Sequence, residues 1–356
     1  MVYKKYIKNS IIALLILFLL CMIVVAILDP FYHYHKPVLG MKAVLTDKEY
    51  QCIGSLRNFD YDSLIVGSSV CENYNNEWFD EAFGVKSIKA IRSYGGIADL
   101  DFFIQTAFDT HNIKYVFYNI DPGNFANEPE ITFEETGCPM YLYDNNYIND
   151  VEYLLNKDVI LEKIPYMISK SLLGDYKEGE SYNWWQWKTF GAEETLSHYY
   201  RSKDVIPMND KECYSSFCRE NIDIIENQVV NNPETEFIFF FPPYSFLWFD
   251  NINRCGDTDA YIYNMKTCVE RLLVYDNVRF FNFLDDESVV TDLDNYMDAL
   301  HFTPEINRYI VSEIVENNKE ILADNIDETF EHLAEYADIT VEQRIKDYGE
   351  AVHSMP

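Results

Sequence analysis

Between residues 11 and 28 the chain reads IIALLILFLLCMIVVAIL, without one charged or strongly polar side chain. At about 1.5 Å of rise per residue, an α-helix over this run covers about 27 Å, close to the hydrocarbon thickness of a bilayer. The run therefore predicts a single transmembrane helix. Lys4, Lys5 and Lys8 precede it, and Asp29 and Pro30 follow it. The positive-inside bias then predicts a cytoplasmic N-terminus, with everything after about residue 30 outside. A cleaved signal peptide is the main rival, but the run is longer than a usual signal core and no small-x-small cleavage site follows it. Cys21 lacks the small preceding residues of a lipoprotein site. The expectation is an uncleaved, single-pass anchor.

The other constraints are compositional. A chain of 356 residues with 48% hydrophobic content leaves room outside the membrane for one large domain or a domain with a sizeable insertion. A formal net charge of −31 excludes nucleic acid as a natural partner, because phosphates would be repelled. The eight cysteines contain no CxxC pair. Cys213 with Cys218, or Cys255 with Cys268, would pair in an oxidising compartment; buried free thiols are the other reading.

After the anchor, residues 29–60 read as a polar, aromatic-rich stalk. His33 and His35 are placed at the membrane surface rather than on a metal, since no third ligand lies nearby in sequence. Short apolar runs at 63–66, 85–91, 114–120, 236–241 and 278–283 then predict strands, and helices are expected at 97–110, 211–231, 259–275 and 303–318. This alternation predicts an α/β fold with a doubly wound, mostly parallel sheet, whose site forms at the carboxyl ends of the strands. Residues 125–208, which include Trp184, Trp185 and Trp187, break the rhythm and read as an aromatic-rich insertion or cap. Residues 326–356 read as an acidic helical tail.

Two motifs carry chemistry. The first strand runs into Gly67-Ser68-Ser69, which lacks the second glycine of a G-x-S-x-G elbow, and no Walker, G-x-G-x-x-G or H-E-x-x-H motif occurs. Far along the chain, Asp298-Ala299-Leu300-His301 precedes Thr303-Pro304, an N-cap followed by proline in the first helical turn. On such a loop a carboxylate three residues before a histidine can fix its tautomer while the other ring nitrogen faces a serine. A strand-end serine and that pair suit nucleophilic acyl transfer without cofactor or metal.

These residues resemble the SGNH (GDSL-like) hydrolase superfamily. Gly67-Ser68-Ser69 is similar to its first block, which makes Ser69 the nucleophile, and Asp298 and His301 match its last block. Gly95 and Gly96 resemble the second block, whose glycine serves the oxyanion hole. The third block, usually Gly-x-Asn-Asp, is replaced by Asp121-Pro122-Gly123-Asn124; the oxyanion donor there is Asn124, or Asn119 or Asp121 holds that place. The resemblance implies a triad of Ser69, His301 and Asp298, with an oxyanion hole from Ser69, Gly95 or Gly96, and Asn124. Within the superfamily, the anchor, the Gly-Ser-Ser turn and Phe241-Pro242-Pro243-Tyr244-Ser245 look most like the DltD-type branch, extracytoplasmic partners of membrane-bound O-acyltransferases.

The leading expectation is thus a membrane-anchored acyl esterase or acyltransferase acting on an acylated cell-envelope polysaccharide, with a membrane-bound O-acyltransferase as partner. A free-standing lipase or carbohydrate esterase of the same fold is the second, and a catalytically inactive envelope scaffold the third.

Overall fold

In four of the five runs the apolar side chains are nearly continuous rather than alternating, as strands covered on both faces require, while 85–91 is interrupted by Lys86, Ser87 and Lys89. The computed structural model describes residues 2–349 and Val352. Its strands are β1 Ser63–Gly67, β2 Ser87–Ile91, β3 Tyr115–Asn119, β4 Glu236–Phe241, β5 Val278–Asn282 and the short β6 Glu320–Ile321. They form one sheet in the order β2-β1-β3-β4-β5-β6, parallel except for β6. β4 contributes Phe237, Phe239, Phe240 and Phe241, all buried, and Phe239 stacks on Phe280 of β5 with centroids 4.9 Å apart. Each such ring adds about 2–3 kcal/mol of burial, which makes the sheet centre the apolar core of this part.

The helices are α1 Val2–Leu28, α2 Lys48–Asn58, α3 Asn76–Phe83, α4 Ile97–Thr110, α5 Ser215–Asn231, α6 Phe246–Cys255, α7 Thr258–Leu272, α8 Pro304–Glu316, α9 Ile326–Glu335 and α10 Val341–Tyr348, besides shorter turns. The chain separates into two compact units. One holds the described residues up to Asp60 together with Phe133–Tyr182; the other holds Tyr61–Thr132 and the described residues from Asn183 onward.

This division differs from the one the sequence suggests. Residues 29–60, read as a stalk, contain α2 and fold together with residues 133–182 of the expected insertion, while residues 183–208 belong with the sheet. Asp29 organises the start of the first unit. Its buried carboxylate accepts the backbone N–H groups of His33, Tyr34 and His35 at 2.7–3.0 Å and the hydroxyl of Tyr153 at 2.8 Å. Gly54 permits the close approach of α2, since an added Cβ would lie 2.7 Å from the Tyr32 carbonyl oxygen. Within this unit α1 carries Tyr3–Leu28, long and apolar enough to cross a membrane.

In the second unit the segment read as an acidic helical tail forms α9 and α10 and packs by its apolar side chains. Phe330, Leu333, Tyr336, Val341 and Ile345 are buried, and Tyr336 meets Phe249 of α6 edge-on at 5.2 Å. All eight cysteines are free thiols, so neither of the possible disulfides forms.

The topology also marks where a site can form. From β1 the chain moves outward to β2 and then returns to the other side of β1 as β3, so the loops after β1 and β3 diverge. Open α/β sheets bind ligands at such a switch point.

Candidate active site

The carboxyl end of β1 turns sharply at Gly67, where an added Cβ would strike the Cys71 sulfur and come within 3.1 Å of Asn119 Cβ. A short 3₁₀ turn, Ser69–Cys71, follows at once, with Cys71 N–H bonded to the Ser68 carbonyl at 3.0 Å. This geometry projects Ser69 from the strand end instead of burying it in the sheet.

The second component is a small hairpin. Tyr296 and Phe302 form an antiparallel bridge, and the Met297 N–H bonds to the His301 carbonyl at 3.0 Å. Inside this closed loop Asp298 Oδ1 accepts the N–H groups of Leu300 and His301, both at 2.8 Å, while Oδ2 sits 2.7 Å from His301 Nδ1. His301 Nε2 lies 2.8 Å from Ser69 Oγ. The three residues read from the two ends of the sequence thus meet in one relay. With Nδ1 donating to Asp298, Nε2 is left as the acceptor facing the serine hydroxyl. Burial tends to raise the Asp298 carboxyl, but the hydrogen bond and charge of His301 and the two backbone N–H groups outweigh it and hold Asp298 below the usual carboxylate range.

The loop between β4 and α6 holds the hairpin. Ser245, at the start of α6, donates its N–H at 3.1 Å and its hydroxyl at 2.9 Å to the Ala299 carbonyl. Tyr296 donates its hydroxyl to the Pro243 carbonyl at 2.7 Å. On the nucleophile side, Asn307 of α8 donates to the Val70 carbonyl at 3.3 Å. The helix that follows the histidine loop thereby also braces the serine turn.

Of the residues suggested for oxyanion binding, Asn124 donates its side-chain amide to the Gly95 carbonyl at 3.4 Å, which brings the segments after β2 and β3 together. The Gly95 N–H is engaged by the Arg92 carbonyl at 3.0 Å. Gly96 caps the N-terminus of α4, and a Cβ there would meet nothing within 4 Å. Asn119 is fully buried and donates to Asp121 Oδ1 at 3.3 Å. Asp121 also receives the Tyr244 hydroxyl and a hydrogen bond from Ser68. Burial pushes the Asp121 carboxyl up, against the pull of those donors and of the nearby His301. It is an acceptor at the base of the site.

Sequence reasoning placed Trp184 only in an aromatic cap and missed Asn73 and Lys89, which position its segment at the triad. Trp184 stands edge-on to His301, with centroids 5.4 Å apart and planes at 81°. Its segment is pinned by buried Asn73, whose side-chain oxygen accepts the N–H groups of Trp184 and Trp185 at 3.1 Å. Lys89 of β2, also fully buried, donates to Asn183 Oδ1 at 2.9 Å and to the Glu72 carbonyl at 2.7 Å. A lysine in a strand reads as an exposed edge residue; nothing in its sequence neighbourhood signals this buried role. Trp187 and Tyr94 remain open to solvent, at 79% and 92% exposure.

No protein-family model matches this chain, and no curated protein matches it in sequence.

Proposed function

We propose that this protein is a membrane-anchored, extracytoplasmic serine acyl esterase or O-acyltransferase that works through an acyl-serine intermediate. The observation that carries this reading is the continuous relay Asp298–His301–Ser69, with contacts of 2.7 and 2.8 Å. The resemblance of its motifs to the SGNH hydrolases, and to the DltD-type branch in particular, supports the same chemistry and adds a cell-envelope polysaccharide as substrate.

The steps follow from the geometry. His301 Nε2 takes the Ser69 proton as Ser69 Oγ bonds to the carbonyl carbon of an ester or thioester. The resulting oxyanion is met by the Ser69 N–H, the Gly96 N–H and the Asn124 side-chain amide. One of the two Asn124 amide hydrogens serves the Gly95 carbonyl; the other is the donor for substrate. Gly95 is the weaker candidate because its N–H already has the Arg92 carbonyl. Donors of this kind contribute about 3–4 kcal/mol each to the transition state. The tetrahedral adduct collapses, the bond from carbonyl carbon to the leaving oxygen or sulfur breaks, and His301 returns the proton to the leaving group. Water or a sugar hydroxyl, deprotonated by the same histidine, then releases the acyl group. The aromatic wall of Trp184 suits a sugar ring, whose C–H faces pack on aromatic surfaces while its hydroxyls stay hydrated.

Treatment with a fluorophosphonate followed by peptide mass spectrometry tests the reading. An adduct on Ser69, absent from His301→Ala, is expected. An unlabelled Ser69 in folded protein would favour the inactive scaffold. A labelled protein that hydrolyses aryl acetates, with envelope acylation normal in a Ser69→Ala strain, would favour the free-standing esterase.

A further inference from the structure

We propose that the helical run 159–173 lies in the outer interface of the membrane, with its solvent-facing side in the lipid headgroup region. The first unit would then dock on the bilayer as a body. This rests on reading α1 as a transmembrane helix.

The length of α1 supplies the first argument. Residues 11–20 are exposed on every side, but at ~1.5 Å per residue they rise only about 15 Å, half the bilayer's hydrocarbon thickness. The helix reaches across only if Cys21 to Leu28 are also at membrane depth. Yet one face of that stretch is covered: Val25 is buried and Cys21, Met22, Ala26 and Leu28 are half-buried, while Ile23, Val24 and Ile27 stay exposed. The cover comes from Val151–Leu154 and Val159–Lys163, which pack against α1. Segments that cover the outer turns of a membrane helix share its depth.

The second argument is the pattern of residues 159–173, a continuous helical run with π turns at both ends. Val159, Ile164, Met167 and Ser171 face inward and are buried. The opposite side carries Leu161, Pro165, Ile168 and Leu172, spaced by four, three and four, and ends on Leu173. Leu161, Leu172 and Leu173 are 72%, 58% and 85% exposed. A helix apolar on both sides belongs against lipid or another apolar surface, not in water.

Charge favours lipid. In a chain with 59 acidic and 28 basic residues, this run holds Glu162 against Lys163 and Lys170, and Lys170 lies over the Tyr166 ring at 5.8 Å. Lysine and tyrosine flanking leucines is the composition of a membrane-surface helix. Polar ties fix the run to the segment between α1 and α2: Ser171 Oγ accepts the Lys42 N–H at 2.6 Å, and Lys163 pairs with Asp47 at 2.5 Å.

Photocrosslinking in native membranes tests the placement. p-Benzoylphenylalanine replaces, one position at a time, Leu161, Leu172 and Leu173 in the full chain, with Leu17 as the membrane reference and Val274, 71% exposed in the other unit, as the aqueous reference. Irradiation is expected to add the mass of one phospholipid at 161, 172 and 173 as at 17, and none at 274. Protein adducts at the three positions, or no lipid adduct there while position 17 reacts, would overturn the proposal; the first result would assign the surface to a protein partner. Loss of the lipid adduct at 17 would instead overturn the transmembrane reading beneath it.

Discussion

Of the three histidine–aspartate pairs among the described residues, His301–Asp298 in the second unit and His33–Asp150 in the first differ most usefully in what surrounds them. In the second unit, Asp298 holds His301 Nδ1 at 2.7 Å, and Nε2 meets Ser69 Oγ at 2.8 Å, with both members of the pair part-exposed. In the first unit, His33 Nε2 lies 3.3 Å from Asp150, the side chains are 5% and 3% exposed, and neither ring nitrogen makes a hydrogen bond. His33 instead packs edge-on against Tyr34 and Tyr153. An acid–histidine pair becomes a general base only when its second nitrogen is aimed at a hydroxyl and solvent can deliver substrate; otherwise it is packing. The side chain of His33, expected on a polar stalk, is covered by residues of the 133–182 segment, Asp150 and Tyr153 among them.

The largest expected effect tests the catalytic pair. Ser69→Ala should lower kcat for an aryl acetate by about 10⁶, and His301→Ala by a similar factor, as in other triads whose members act as a unit. Both variants should give unchanged circular dichroism. Hydrolysis at the normal rate by either variant would remove the distinction between the two pairs.

Asp298→Asn sharpens it. The amide supports the wrong tautomer, so kcat should fall by about 10⁴ with the fold intact. The variant also carries a stability signature. Because Asp298 is held below its ordinary value in the folded state, its contribution is full above the unfolded carboxylate range and is lost as pH falls through the lower folded value. Urea unfolding should therefore show Asp298→Asn less stable than the parent near neutrality, and the two converging in acid.

Legibility followed the range over which each feature is encoded. β4 and α4 were readable to the residue because their apolar pattern is local, and Ser69 and the Asp298/His301 loop stand at element ends with their own turn chemistry. The association of residues up to Asp60 with 133–182 was not readable, since it depends on contacts such as Phe31 N–H to the Tyr153 hydroxyl, 122 positions apart, which leave no periodic trace. α2 was missed for a related reason: polar residues and Gly54 dilute its helical pattern, and only packing against residues 31 and 32 shows why the glycine is there. Lys89, Asn73 and Asn307 are polar groups whose worth lies in a buried partner, and a partner is a tertiary fact.

A smaller effect should separate the pairs from the other side. His33→Ala removes the ring between Tyr34 and Tyr153 and the imidazole that stands 3.3 Å from Asp150, which keeps the Tyr34 hydroxyl at 2.9 Å. A loss of about 1–3 kcal/mol in unfolding free energy is expected, with esterase kinetics unaltered in the folded fraction. A fall in kcat without a fall in stability would give His33 a catalytic role that its surroundings do not suggest.

The smallest effect concerns the second carboxylate near His301, and its sign runs opposite to that of Asp298. Burial raises Asp121 in the folded state despite Tyr244, Ser68 and Asn119, so folding favours its protonated form. Stability at this position is therefore greatest below the unfolded carboxylate range and declines as pH rises toward the higher folded value. Asp121→Asn keeps a carbonyl oxygen to accept the Tyr244 hydroxyl and has no charge to bury. Relative to the parent, the variant should be no more stable in acid and should gain as pH rises, by about 1 kcal/mol or less at neutrality. Measured side by side in urea, the Asp298→Asn and Asp121→Asn differences should diverge with pH in opposite directions. If Asp121→Asn instead loses stability as pH rises, Asp121 belongs with Asp298 as a carboxylate the fold holds ionised, and the base of the site carries two anions beside His301 rather than one.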